Sequence, residues 1–291
     1  MGKGLYELLG GGKGGDISSK TIDEFLDKNP SIDIETKGML LTWRSELEFW
    51  KGYGIDVGVH AQRTYRNSPT YISMYKAVGE LINPKEGDIW LDAGCGALAM
   101  SDLIIGKNNK VSKVYATDII LKPANDRISL FPDHANVELK YASLTDSMPF
   151  PDNFFNGIAG NCVFTFVVEH QGRTGKDALI GVFREMYRIL KPGGTLVWTT
   201  PRKDASNFSG FMASIWFVLN PYWSIKLRRF VPSDMAKILK YTKQIVKKGK
   251  KGVYNILTQS EYDELLSTAG FVGSSWVTSF GGQGWVNKCH K

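Results

Sequence analysis

From Asp88 onward, short apolar runs alternate with stretches in which apolar residues recur every three or four positions. Asp88–Leu91, Lys113–Thr117, Asn136–Tyr141, Gly157–Val163 and Thr195–Thr199 read as strands, and helices are predicted over Ala97–Ile105 and Lys176–Leu190. The alternation stops after Pro201 and resumes at Thr258. There Thr258 and Glu261, three apart, carry a capping-box signature ahead of a helix that Gly270 ends, and Phe271–Phe280 and Gly284–Cys289 follow as strands. Before Pro84 the spacing is helical, with aromatic clusters at Trp43, Phe49, Trp50 and Tyr53 and again at Tyr65, Tyr71 and Tyr75. The pattern predicts a flexible segment over 1–20, a helical cap over 21–84, and an α/β domain over 85–291 with an insertion, 202–257, as a substrate or membrane lid. In such a domain ligands bind outside the carboxyl ends of a mainly parallel sheet. The glycine run at 10–15 has no strand before it and no Ser or Thr after Lys13, so it reads as a linker and not a phosphate loop.

Charge changes this picture in one place. The 291 residues carry a formal net charge of +7. Between Lys226 and Lys251 stand ten basic residues and one acid, Asp234, a net of +9 that leaves the rest of the chain at −2. The apolar residues Phe208, Phe211, Trp216, Phe217, Tyr222 and Trp223 precede this run. Within it, Met235, Ile238, Leu239, Ile245 and Val246 recur at helical spacing between Lys237, Lys240, Lys243, Lys247 and Lys248. An apolar stripe flanked by lysines suits a helix lying on an anionic membrane surface, so 208–251 is the candidate contact. A solvated lid face and a nucleic-acid surface are the alternatives; the aromatic block precedes the lysines and is not interleaved with them, which argues against nucleic acid. Phe211–Leu219 is too short to span a bilayer. The first fifteen residues lack the apolar core of a signal peptide. Cys95, Cys162 and Cys289 are scattered and form no metal-ligand spacing, so neither a disulfide framework nor a metal site is expected. A cytoplasmic protein follows, soluble or held peripherally at a membrane.

Ile89-Trp90-Leu91-Asp92-Ala93-Gly94-Cys95-Gly96-Ala97 is a strand running into a glycine turn and then a helix. Gly94 and Gly96 let the backbone turn sharply and approach a ligand. With Ala99 they also satisfy the dinucleotide fingerprint. Asp92 separates the two readings: its carboxylate repels a pyrophosphate and suits a ligand bearing an ammonium and a sulfonium. Asp118 ends the next strand, where a carboxylate can receive both hydroxyls of a ribose or, alternatively, cap a helix.

From about Lys85 to Lys291 the chain resembles the class I S-adenosylmethionine-dependent methyltransferases, in the branch that includes ubiquinone/menaquinone-biosynthesis, sterol and lipid methyltransferases. Three spans carry the resemblance: Leu91-Asp92-Ala93-Gly94-Cys95-Gly96, the stretch Met148-Pro149-Phe150-Pro151-Asp152 to Asn156, and Phe183 to Gly194, which ends in Lys191-Pro192-Gly193-Gly194. The resemblance implies a Rossmann-like, seven-stranded sheet with one antiparallel strand, and S-adenosyl-L-methionine as cofactor. It places Asp92, Gly94 and Gly96 at the methionine end, Asp118 and Ile119 at the ribose and adenine, Ser143 and Leu144 near the adenine amino group, and Asn161 beside the methyl donor. The chain departs from the family at Leu98, where a third glycine is common, and at Asn156, where an aspartate is usual. Asp146 is displaced from the position of the acid that commonly contacts adenine.

Methyl transfer from a sulfonium needs alignment of the acceptor and exclusion of water, and needs a base only if the nucleophile loses a proton. Glu169 and His170 follow the fourth strand, either bracing the loop or meeting the acceptor. Tyr65, with Tyr53, His60, Arg63, Tyr71 and Tyr75, belongs to the cap expected over the cofactor mouth. Glu169, His170 and Tyr65 are therefore the candidate catalytic residues. The expected reaction is methyl transfer to a hydrophobic or amphiphilic small molecule such as an isoprenoid quinone precursor, a sterol or a lipid headgroup. Methylation of RNA through the basic insertion and cofactor binding without catalysis are the alternatives.

Overall fold

Strand β1 (Ile89–Ala93) is flanked on both sides by parallel neighbours, β2 (Lys113–Asp118) and β4 (Phe155–Asn161). In the computed structural model, which describes residues 8–9, 17–66, 69–130, 135–204 and 232–291, these strands form the middle of a seven-stranded sheet. The other members are β3 (Val137–Tyr141), β7 (Leu190–Pro201), β8 (Val272–Ser279) and β9 (Gly284–His290), and the order is β3-β2-β1-β4-β7-β9-β8. β9 pairs antiparallel with both β7 and β8, so it is the one strand opposed to the other six. The seven strands read from the sequence are those of the sheet, with shifts at their ends. The largest shift is at β7, which begins at Leu190 and not Thr195, because Leu190 pairs with Phe155 ahead of a bulge and Thr195 with Gly157 after it.

Adjacent residues of each strand face opposite layers. Trp90 packs with Met74, Val78, Met100, Val114 and Val197 on one side of the sheet. Leu91 packs with Phe155, Ile158, Phe183, Trp198 and Tyr262 on the other. The first layer is covered by helices α3 (Pro69–Leu81) and α4 (Ala99–Lys107), and the second by α6 (Gly175–Ile189) and α8 (Gln259–Ala269). α6 presents Ala178, Leu179, Val182, Phe183, Met186 and Ile189 as one buried stripe. α8 begins with the expected capping box, Thr258 and Glu261 each bonding the other's backbone N–H, and ends at Gly270 in the left-handed conformation, φ 105°. Helix α5 (Lys122–Leu130) and the hairpin of β5 (Glu169–His170) and β6 (Arg173–Thr174) had no sequence expectation; the helix lacks an apolar period and the strands are two residues long.

Two of the spans that carry the family resemblance meet through Arg188. Its guanidinium donates to Glu185 Oε1 (2.6 Å), to Asp152 Oδ1 (2.6 Å) and to the carbonyls of Met148 and Phe150, while Glu185 Oε1 also accepts the Met148 N–H. The strongly conjoined charges hold the guanidinium protonated. Asn156, in place of the family's aspartate, accepts from Ile89 N (3.0 Å) and Lys191 Nζ (2.9 Å). These spans brace the sheet and carry no reactive group toward the cavity.

The N-terminal region folds as α1 (Ser19–Lys28), α2 (Ile34–Arg66) and α3, with Ile22, Leu40, Trp43 and Leu47 forming a small core of its own. Of the insertion, residues 205–231 lie outside the described residues, and so does the aromatic block from Phe208 to Trp223. Its described helix, α7 (Pro232–Lys250), packs on α2. One face of this helix is turned inward. Tyr241 is buried and donates to Asp56 (2.6 Å), Ile245 borders the cavity, and Lys248 turns inward to Glu46 (2.6 Å). Residues 241, 245 and 248 share one helical face, and α2 covers it. Val246, Lys243, Lys247 and Lys250 remain exposed. Among the described residues no helix is long and apolar enough to cross a membrane.

Candidate active site

A cavity of about 390 Å³ opens at the carboxyl ends of β1, β2 and β4, where the chain order of the sheet reverses between β1 and β4. Open α/β sheets bind ligands at this switch point. Its floor is the glycine turn. Gly94 and Gly96 have φ of 65° and 49°, which glycine adopts without strain. A Cβ at Gly94 would collide with Val163, whereas one at Gly96 would meet no protein atom within 4 Å, so the backbone there is bare toward the cavity.

Two carboxylates flank the turn and differ in role. Asp118 Oδ2 accepts from Gly96 N (2.9 Å) and Oδ1 from Ile120 N (2.9 Å). Desolvation raises its pKa above the ordinary carboxylate value, against the opposing pull of the backbone N–H groups. Asp92 is 1% exposed, and its Oδ2 accepts from Ser101 N (2.8 Å) and Ser101 Oγ (2.7 Å). Leu98 is the N-cap of α4 and has no oxygen to offer, so Asp92 satisfies the helix's free N–H from the neighbouring strand. Asp92 thus borders the cavity and also caps α4. Leu98, where the family's third glycine falls, is fully buried at φ 65°, so the left-handed conformation is kept without the glycine.

The opposite half of the cavity is aromatic. Trp43, Trp50 and Tyr53 come from α2, Tyr71 from α3, Phe166 from the loop after β4, and Phe280 from the turn before β9. Trp50 and Phe166 lie 5.1 Å apart between ring centroids. Asn161 ends β4 between the two halves; its amide donates to Tyr71 OH (2.9 Å) and its carbonyl accepts from Thr199 Oγ1 (2.8 Å). Burial pushes the Tyr53 phenol up, and the Cys162 thiol up to about 11, so both are protonated near neutral pH.

Asp92, Gly94, Gly96, Asp118, Ile119, Ser143, Leu144 and Asn161 all border this one cavity. Glu169 and His170 do not, which corrects their placement near the acceptor. His170 Nδ1 bonds the Leu144 carbonyl (2.7 Å) and its ring packs against Gly181 of α6. Glu169 bonds the N–H of Gly172 in its own hairpin, and Gln171 N donates to Thr145 O (2.8 Å). The hairpin therefore buttresses the 142–145 loop from behind. Tyr65 lies on α2 at a position whose side chain is outside those described. Glu46, Trp43 and Ile245 border the cavity without having been singled out as site residues. Glu46 did carry a signal, since it is an acid on the helical face that Trp43, Leu47 and Trp50 share. The described residues contain no cluster that could hold a metal ion.

The arrangement suits S-adenosylmethionine: a bare backbone at Gly96, the Asp118 carboxylate beside it, and no cationic side chain among the described residues of the lining. Residues 91–198 match the family model described as a methyltransferase domain. A demethylmenaquinone methyltransferase of Symbiobacterium thermophilum is 27% identical over 203 residues, 66% of this chain and 71% of that protein. A ubiquinone/menaquinone biosynthesis C-methyltransferase of Neisseria meningitidis is 34% identical over 116 residues, 39% of this chain and 42% of that one. A solved S-adenosylmethionine-dependent methyltransferase of Aquifex aeolicus aligns with a TM-score of 0.51 at 18% identity, covering 79% of this chain and 97% of that structure, and so shares the fold. Residues 91–198 are thus a methyltransferase domain, set in a fold shared with a solved S-adenosylmethionine-dependent methyltransferase.

Proposed function

We propose that the chain methylates an apolar or amphiphilic ring compound of the isoprenoid-quinone-precursor class. One observation carries the reading. The cavity half facing the glycine turn is walled by six aromatic rings, and none of the described lining residues is Lys, Arg or His to receive an anionic acceptor. The names of the relatives from Symbiobacterium and Neisseria point to the same substrate class. S-adenosylmethionine supplies a methyl group already activated by the sulfonium charge. The protein's part is alignment and desolvation. Gly94 and Gly96 admit the cofactor's methionine end, Asp118 receives the ribose hydroxyls, Ile119, Ser143 and Leu144 border the adenine, and Asn161 stands where the two ligands meet. The exposed Lys243, Lys247, Lys250 and Lys251 on the outer side of α7 suit an anionic headgroup surface from which such an acceptor is drawn.

The test is incubation of the protein with methyl-labelled S-adenosylmethionine and reduced demethylmenaquinone, beside separate lipid, water-soluble and RNA fractions. Label is expected in the quinone and in the lipid extract. Label in RNA, or in the water-soluble fraction alone, refutes the reading, as does tight cofactor binding with no transfer to any fraction.

A further inference from the structure

Glu46 is a carboxylate in the aromatic half of the cavity, 6% exposed, one helical turn before Trp50. Its Oε1 accepts from Lys248 Nζ (2.6 Å) and its Oε2 from Tyr254 OH (2.7 Å). The ammonium lies 4.0 Å from the Phe49 ring centroid, and Tyr254 is itself 3% exposed. Burying such a pair carries a desolvation cost, and apolar residues of similar volume would hold α2 to α7 as well or better. The ammonium compensates the carboxylate's charge, and Tyr254 fixes its orientation. An ionised carboxylate has about four acceptor positions, and these two donors use one on each oxygen. Trp50 and Phe166 line the same cavity, their rings 5.1 Å apart. The described lining holds no other carboxylate outside the strand ends at Asp92 and Asp118.

Resting on the reading that this half receives the acceptor, we propose that Glu46 is the residue that binds a hydroxyl of the acceptor ring, so that the cavity selects phenol-type rings over their ethers. The hydroxyl donates to the carboxylate while the ring packs against Trp50 and Phe166. Anchoring one edge of the ring fixes which edge is turned toward Asn161. Glu46 is a positioning residue in this scheme, and no proton or bond changes hands at it.

The test compares wild type, Lys248→Met and the double variant Glu46→Gln/Lys248→Met, which removes both charges and leaves neither buried alone. Each is saturated with S-adenosylhomocysteine and titrated calorimetrically with 1-naphthol and with 1-methoxynaphthalene. A hydrogen bond to a charged acceptor corresponds to about tenfold or more in affinity, so wild type and Lys248→Met are expected to prefer the naphthol by at least about tenfold. The double variant should keep S-adenosylhomocysteine affinity and lose the preference by weakening naphthol alone. Absence of the preference in wild type, its survival in the double variant, or its loss in Lys248→Met overturns the proposal; the last result would make the pair a clasp between helices. Naphthol selectivity through Glu46 without turnover of demethylmenaquinone would refute the quinone reading and leave this one standing. Turnover without selectivity would do the reverse.

Discussion

The two halves of the cavity are built in different ways. The glycine-turn half comes from the ends of neighbouring strands and is fixed by backbone: two glycines, two aspartates and the N–H groups that they receive. The aromatic half comes from side chains on α2, α3, α7, the loop after β4 and the turn before β9, brought together only by tertiary packing. A strand end cannot move without moving the sheet, whereas a ring on a helix can be exchanged at the cost of local packing. The first half is therefore suited to an invariant ligand and the second to a ligand that differs between related chains.

The largest effect that tests this contrast is at Asp118. Asp118→Ala leaves the Gly96 and Ile120 N–H groups without their acceptor and removes the proposed ribose partner; affinity for S-adenosylhomocysteine should fall about 100-fold, the scale of two lost charge-assisted hydrogen bonds. Naphthol binding in the aromatic half should hardly change. Calorimetry reads both, and unchanged cofactor affinity would remove Asp118 from the site.

Leu98 gives a smaller effect and asks whether the glycine-turn half depends on backbone conformation. Its side chain is fully buried, so Leu98→Ala should destabilise by about 3 kcal/mol. Leu98→Gly loses the same side chain but relieves the left-handed conformation, so it should be the more stable of the two by about 1 kcal/mol. Denaturant unfolding measures the difference; alanine equal to or better than glycine would mean that φ 65° at this position carries no cost.

The smallest effect concerns the hairpin behind the 142–145 loop. Burial lowers the pKa of His170 below its ordinary 6.5, opposed by its bond to Leu144 O and the charges of Glu185 and Asp146. The folded state disfavours protonation, so the stability contributed by neutral His170 is complete above pH 6.5 and is lost as pH falls through the lower folded value. His170→Gln should flatten the fall of the melting temperature between pH 6.5 and 5, leaving a residual slope from His290, whose pKa is also lowered. An unchanged slope would show that His170 titrates alike in the folded and unfolded chain.

What the chain revealed in advance follows the same division. The strands, the helix at Thr258–Gly270 and the glycine turn with Asp118 after it were legible because each depends on neighbours within a few positions: alternation, a capping box, two close glycines and an acid at a strand end. Asp92 as a cap for α4 was not, since its partner Ser101 lies across a turn whose own N-cap position is a leucine. Lys248 among five lysines gave no sign of turning inward, because its partner Glu46 is 202 positions away. Glu169 and His170 sat at the expected distance after β4, but the short hairpin that points them to the far side of the loop has too few residues to leave a period.

The antiparallel strand next to the edge of the sheet sets an order of events during folding. β8 precedes β9 in the chain, yet among the described residues it pairs only with β9, which itself pairs with β7. Until β9 docks, β8 thus has no ladder, and the edge of β7 is open beside it. Unpaired edges of this kind join other chains readily. The five-stranded parallel portion and its glycine turn can assemble while this is so, and the edge closes only when β9 slides between two strands already made.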